Sequence, residues 1–134
     1  MQLIFLTSRI PYPPNRGDRV RTYQFLRLFS REHAVTLVSF IAHQKERQLA
    51  EELAQYCEEI HLIYQPAWKS SVSVAQNVWR DMPLQTLYYR SRQMAQTVDS
   101  LLLSNSFDLA YVHLFRMAPY LMNHPELYRI LDLT

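Results

Sequence analysis

The sequence predicts an α/β domain: an open, mainly parallel sheet of about five strands with helices on both faces. Two observations carry this prediction. Short runs of apolar and β-branched residues alternate along the chain with segments whose apolar residues recur at three- or four-residue steps. The first run, 3–6, is apolar without interruption, which is typical of a strand buried on both faces of a parallel sheet. Strands that alternate with helices need right-handed crossovers, and these place helices on both faces of the sheet.

In the N-terminal half, the strand at 3–6 is followed by a loop at 7–18, where three prolines between 11 and 14 oppose regular structure. Asp18 can cap a helix that runs to about residue 31. Its apolar stripe recurs at three-residue steps: Val20, Tyr23, Leu26 and Phe29. A β-rich run then predicts the second strand at 35–41. A helix at 46–56 and a third strand at 59–64, which ends before Pro66, complete this half.

The C-terminal half continues the alternation. An amphipathic helix is predicted near 72–80, with a break at Pro83 and a helical turn at 87–89. Apolar residues at helical spacing then predict a helix at 91–104. The remaining elements are a strand at 109–113, a short helix at 117–122 and a strand at 128–133. A chain that stops on a buried type of strand suggests a piece of a longer protein.

Composition excludes several classes of function. The 134 residues, 49% hydrophobic and 19% charged, suit one folded domain. A net charge of +2 without any block of like charges argues against a general nucleic-acid binder. Among the 14 basic residues, all except Lys45 and Lys69 are arginines, which suit bidentate recognition of phosphate or carboxylate.

Rare residues exclude further chemistry. A single glycine, Gly17, cannot form the glycine-rich fingerprints of dinucleotide or P-loop sites, so we expect no such cofactor. One cysteine excludes an internal disulfide and favours a reducing compartment. The five histidines lack metal-ligand spacing, so we expect no metal. The N-terminal residues lack the features of a signal peptide, and no apolar run is long enough to span a bilayer, so we expect a cytoplasmic location.

Several stretches of sequence resemble a known family. Segment 8–22, directly after the first strand, is SRIPYPPNRGDRVRT. With YRS at 89–91, FDLAYVH at 107–113, RMAPY at 116–120 and LDLT at 131–134, it resembles the start of family 4 glycosyltransferases. The similarity is to the sugar transferases associated with bacterial exopolysaccharide and PEP-CTERM export systems, and it covers nearly the whole chain.

The resemblance implies a GT-B fold, in which two Rossmann-like domains enclose the active site. The N-terminal domain mainly binds the acceptor, and the C-terminal domain binds the nucleotide sugar. By this resemblance, 1–134 is the N-terminal acceptor-side domain alone, and the donor-binding domain is absent from the chain. We therefore expect this chain to be one half of a hexosyltransferase that acts in polysaccharide or glycolipid biosynthesis and retains the configuration of the transferred sugar. This half is expected to be inactive by itself. The alternative is a non-enzymatic α/β module that binds a ligand or a partner.

Candidate site residues follow from the rule that ligands of an open parallel sheet bind beyond the carboxyl ends of its strands. Gly17 permits close backbone approach at the start of a helix, and charged residues flank it. We expect this loop to bind phosphate or substrate through Arg16, Gly17, Asp18 and Arg19. The other interpretation is that Gly17 only turns the chain.

His113 ends the fourth predicted strand, where core packing explains a polar residue poorly. We expect His113 to act in catalysis on the sugar or acceptor side, with Arg116 binding substrate nearby. A buried structural histidine is the alternative.

Segment 68–92 contains both tryptophans and four basic residues against one acidic residue, Asp81. Such aromatic and basic segments bind anionic membrane surfaces. Peripheral contact with the inner face of the plasma membrane is therefore expected through Trp68, Lys69, Trp79 and Arg80, which would suit a lipid-linked acceptor. Alternatively, the two tryptophans pack on the sheet.

Overall fold

One parallel sheet of five strands, in the order β3-β2-β1-β4-β5, organises the chain in the computed structural model. The structure describes residues 2–12, 17–77, 91–113, 117, 120, 121, 127 and 129–132. The strands are β1 (Gln2–Thr7), β2 (Ala34–Ile41), β3 (Glu59–Tyr64), β4 (Leu109–His113) and β5 (Arg129–Asp132). The helices are α1 (Gly17–Ser30), α2 (Ala50–Leu53), α3 (Ala67–Asn77) and α4 (Arg92–Ser104).

All four strand pairings are parallel, and the order matches the first five strands of a doubly wound, Rossmann-like sheet. β1 lies at the centre, between β2 and β4. The start of the β1–β4 pairing is fixed by two backbone donors: the Gln2 N–H donates to Asp108 Oδ2 at 2.9 Å, and the Asp108 N–H donates to the Gln2 carbonyl at 2.8 Å. The predicted α/β class is confirmed.

Each face of the sheet has its own core because side chains alternate along a strand. Leu3 and Phe5 of β1 belong to the core beneath α1, here called the α1 face. Ile4 and Leu6 belong to the core beneath α4, here called the α4 face. Helices therefore cover both faces, as the sequence predicts. The α4 helix contributes three buried residues to its face: Met94, Val98 and Leu101.

The start of α4 is capped by Ser91. Ser91 Oγ accepts a hydrogen bond from the Met94 N–H at 3.1 Å, and the Ser91 N–H donates to the hydroxyl of Tyr120 at 3.0 Å. In the short helix predicted at 117–122, the described residues are in 3₁₀ conformation, and Met117 and Leu121 are buried on the α4 face.

The prediction of one helix at 46–56 is wrong. A 3₁₀ helix (Gln44–Leu49) comes first, and α2 is a single turn. Glu46 Oε1 accepts from the backbone N–H groups of Ala42 and His43 at 3.2 and 3.0 Å, which fixes the start of this segment. Leu53 is its one fully buried residue, while Leu49, Ala50 and Tyr56 pack against the α1-face core only partly buried, so packing does not strongly favour a longer regular helix.

The predicted start of the next helix, at 72, is also wrong, because α3 begins at Ala67. The Pro66 carbonyl accepts from the N–H groups of Lys69 and Ser70 at 3.0 and 3.2 Å, so the first turn forms directly after the proline. The predicted extension to residue 80, the break at Pro83 and the turn at 87–89 lie outside the described residues. No helix in the described ranges is long and apolar enough to cross a membrane.

Candidate functional site

Polar residues occupy one row across the carboxyl ends of neighbouring strands. Thr7 pairs in register with Ser39, and Leu6 pairs with Val112, so the next position on β4, His113, is level with Thr7. In-register residues of parallel strands share a face, and all three positions continue the alternation of the α1 face. Ser39, Thr7 and His113 therefore form a row, here called the polar row. On the far side of β4, His113 pairs with Asp132 of β5.

The polar row is almost completely buried. Ser39 and Thr7 are at most 1% exposed, and His113 is 2% exposed. Thr22, also buried, is the first buried residue among the described side chains of α1. Since α1 runs back antiparallel to the strands, its N-terminal turns lie at the carboxyl end of the sheet. The α1 face thus changes from apolar to polar at the ends of β1 and β4, at the edge where ligands of this fold bind, whereas on β2 the buried Ile41 follows Ser39.

The two hydroxyls of the row hydrogen-bond to nearby backbone. Thr7 Oγ1 donates to the Arg9 carbonyl at 3.0 Å and accepts from the Arg9 N–H at 3.4 Å. Ser39 Oγ donates to the Phe40 carbonyl at 2.9 Å. The Thr7 bonds turn the chain directly after β1, and the Ser39 bond lies within β2, so both hydroxyls have fixed backbone partners.

The beginning of the predicted 7–18 loop is packed. Ile10 is completely buried in the α1-face core, and Pro11 is buried beside it. The ring of Tyr12 lies 6.0 Å from the ring of Tyr23 on α1. Ile10 therefore packs in the core beneath α1, and Tyr12 contacts α1 itself.

His113 follows a tightly packed aromatic cluster. Two positions earlier on the same face, Tyr111 packs against Phe5, Phe25 and Phe29, with ring centroids 4.6–5.6 Å apart. His113 is the next side chain toward the edge, where the aromatic packing gives way to Thr7 and Thr22. An imidazole can donate and accept hydrogen bonds, and its ordinary pKa is close to neutrality. This position suits recognition of hydroxyl groups or proton transfer.

The structure places the other predicted residues only in part. Gly17 begins α1, one residue before the predicted cap, so Asp18 and Arg19 lie in the first turn of the helix and not before it. The prediction of Asp18 as the cap is therefore wrong: the backbone is already helical at Gly17. The side chains of Asp18 and Arg19, and all of Arg16 and Arg116, lie outside the described part of the chain. Trp79 and Arg80 lie outside it as well.

Sequence reasoning missed Thr7, Ser39 and Thr22. Thr7 follows the apolar run LIFL, Ser39 interrupts VTLVSFI, and Thr22 lies in the mostly polar start of α1. Either interruption alone is ordinary in a strand. The signal is their common level in the sheet, which needs the strand register to be seen.

Among the residues that the structure describes, titratable side chains outside the polar row form no cluster that could hold a metal ion. Burial raises the pKa of the Cys57 thiol to about 12, so the thiol stays protonated at neutral pH and is a poor nucleophile. The hydrogen bond with Tyr56 raises the pKa of Tyr23. Across the described ranges, no group of three or more His, Cys, Asp or Glu side chains could hold a metal ion.

The chain was compared with protein-family models, with curated proteins and with solved structures, and none of the three comparisons found a match. The interpretation of the site therefore rests on the residues of this chain, and above all on the polar row at the carboxyl edge of a Rossmann-like sheet.

Proposed function

We propose that this chain is the acceptor-side domain of a nucleotide-sugar-dependent glycosyltransferase acting in polysaccharide or glycolipid biosynthesis. The observation that supports the proposal best is the placement of His113 in a buried polar row at the carboxyl edge of the sheet. This is the edge at which doubly wound domains bind their ligands. Two of the segments that resemble family 4 glycosyltransferases meet that edge: 107–113 ends there, and 8–22 begins there.

Each site residue has a role in the proposal. His113 hydrogen-bonds a sugar or acceptor hydroxyl and takes part in the transfer step. Gly17, Asp18 and Arg19, at the start of α1, bind phosphate or substrate together with the preceding Arg16, because backbone N–H groups and the helix dipole favour an anion there. Arg116 binds a negatively charged group of the substrate.

Transfer requires a positioned acceptor hydroxyl and a departing diphosphate stabilised as negative charge develops. In the proposal, this chain supplies the first requirement, and a donor-binding domain supplies the nucleotide-sugar site. The purified chain alone therefore binds acceptor but does not turn over a nucleotide sugar. The whole enzyme is proposed to be cytoplasmic and to retain the configuration of the sugar.

The test replaces His113 by Ala in the full-length protein. Transfer rate and melting temperature are measured side by side. The matched control is His61→Ala: His61 lies on β3, the outermost strand on that side of the sheet, and its Nε2 atom is 3.2 Å from Glu59 Oε2. The expected result is a fall in rate of about 10²-fold or more for His113→Ala, against a rate near the parent's for His61→Ala. An unchanged rate with a large fall in melting temperature would overturn the role of His113.

One observation favours a second candidate function. With His113 only 2% exposed, the polar row is also compatible with a structural role in a non-enzymatic binding module. Such a module would bind its ligand or partner through other surfaces. Loss of stability in His113→Ala without loss of binding or rate would support this second candidate.

A further inference from the structure

Helix α3 presents an apolar stripe to solvent. Among the exposed large apolar side chains in the described part of the chain, two belong to this one helix and lie four residues apart: Trp68, 64% exposed, and Val72, 45% exposed. Ala75, exposed one turn later, extends the same line. The other exposed large apolar residues lie on three different elements: Leu28, Leu103 and Ile130. We call Trp68, Val72 and Ala75 the α3 stripe.

The opposite side of α3 faces the protein. Ser70 is 1% exposed, and at 100° per residue it lies on the far side of the helix from Trp68. Pro66, just before the helix, is also buried. α3 therefore packs on the domain through the side that contains Ser70, and the stripe is exposed because it lies on the opposite side of the helix.

Positive charge accompanies the stripe. Lys69 Nζ lies 5.7 Å from the ring centroid of Trp68 and 5.9 Å from that of Tyr64, so the ammonium group stays beside the indole. From Ala67 to Asn77 the helix contains no acidic residue, and its other polar residues are uncharged serine, glutamine and asparagine. An indole with an adjacent ammonium group matches the interface of an anionic bilayer, where the ring lies at headgroup level and the cation meets lipid phosphate.

We propose that α3 docks on the surface of an anionic lipid bilayer through the α3 stripe and Lys69. With 11 residues the helix is about 16 Å long, so it lies in the plane of the interface and does not cross the bilayer. The size of the stripe favours lipid over a second copy of the chain. The exposed parts of Trp68 and Val72 amount to roughly 200 Å², whereas a stable protein interface buries about 800 Å² on each partner.

The position of α3 determines which edge of the sheet would lie beside the bilayer. The helix begins three residues after the end of β3, and so at the same carboxyl edge as the polar row. β3 and β4 are three strand spacings apart, about 14 Å. A bilayer that contacts α3 would lie beside the edge that contains His113. The docking itself is measured with vesicles and does not depend on the proposed transferase activity.

The experiment uses the chain with Trp79→Phe, so that Trp68 is the one remaining indole. The protein is mixed with vesicles of phosphatidylcholine containing one third phosphatidylglycerol, and in parallel with pure phosphatidylcholine. We expect a blue shift of the Trp68 emission and quenching by lipids brominated on the acyl chain, with the anionic vesicles only.

Co-sedimentation with the same vesicles then measures each contribution. Trp68→Ala should weaken partitioning by about tenfold or more, and Lys69→Gln by about fivefold at low salt. The matched controls are Leu103→Ala, an exposed leucine on α4, and Lys45→Gln, an exposed lysine on the 3₁₀ helix, and both should bind as the parent does.

Four outcomes would overturn the proposal. The first is a Trp68 emission that stays unchanged on addition of anionic vesicles. The second is equal binding to neutral vesicles, and the third is an equal loss of binding in the Leu103→Ala control. The fourth is self-association that Trp68→Ala abolishes while no vesicle binding occurs, which would assign the stripe to a second copy of the chain.

Discussion

Tyr111 stacks on Phe5 across the β1–β4 pairing, with ring centroids 4.6 Å apart and an interplanar angle of 26°. Both rings are almost completely buried, and Phe25 and Phe29 of α1 close over them. This contact joins β1 to β4, and α1 packs on it through Phe25 and Phe29. The packing of α1 on the sheet depends on it.

Replacement of Tyr111 by Ala should therefore lower the free energy of unfolding by about 4 kcal/mol, because the lost ring leaves a cavity among three other aromatic rings. Urea denaturation followed by circular dichroism measures the change. Tyr111→Phe keeps the ring and should cost about 1 kcal/mol. A loss below about 1 kcal/mol for Tyr111→Ala would mean that the aromatic cluster is not a main support of α1.

The cap of α4 gives a smaller and local effect. Ser91→Ala removes the oxygen that accepts from the Met94 N–H and should cost about 1 kcal/mol of stability. Ser104→Ala, at the exposed other end of the same helix, makes the same chemical change without a cap and should cost less than about 0.5 kcal/mol. Equal costs at the two ends would contradict the capping role.

Cys57 should be slow to react with iodoacetamide in the native protein and fast in urea. Its pKa of about 12 in the folded state lies above the ordinary value, so the folded chain holds the thiol proton more strongly than the unfolded chain does. The stabilisation from this group is complete below the ordinary thiol pKa and is lost as the pH rises from about 9 to about 12. Cys57→Ser should remove that part of the alkaline pH dependence. A native alkylation rate equal to the rate in urea would rule out the protected thiol.

The raised pKa of Tyr23 depends first on its hydrogen bond with the hydroxyl of Tyr56, 3.2 Å away. Tyr56→Phe should therefore lower the pKa of Tyr23 toward the ordinary tyrosine value, and the ring carbon bearing the hydroxyl reports this in an NMR titration. Tyr12→Phe is the matched control, because the Tyr12 ring also lies beside Tyr23 and has only a minor influence on its pKa. A Tyr23 titration that does not move in Tyr56→Phe would exclude the hydrogen bond as the main cause.

Local sequence pattern was sufficient for the sheet. The strands predicted at 59–64 and 109–113 coincide with β3 and β4, since a short run of apolar residues in an alternating α/β chain has few other places to be buried. The segment after β2 was predicted less well. Its apolar residues have helical spacing, yet Leu53 alone is buried, and spacing cannot show how much of a stripe the sheet will cover.

The candidate site was predictable only one strand at a time. His113 is recognisable because it ends an apolar strand, but its relation to Thr7 and Ser39 depends on the register of three strands that are distant in the chain. The exposure of Trp68 was likewise open to two interpretations, because the sequence places the indole at the start of a helix without showing which side of that helix packs inward.

The central position of β1 affects how the chain folds. Leu3 pairs with Val35, 32 residues away, on one side and with Leu109, 106 residues away, on the other. The entropic contribution to the free energy of closing the longer loop is about 1 kcal/mol less favourable than for the shorter one. β1, β2 and β3 can therefore pair early in folding, whereas the pairing of β1 with β4 forms later because β4 is much further along the sequence. In pulsed hydrogen exchange during refolding, the amides of β2 should be protected before those of β4 and β5.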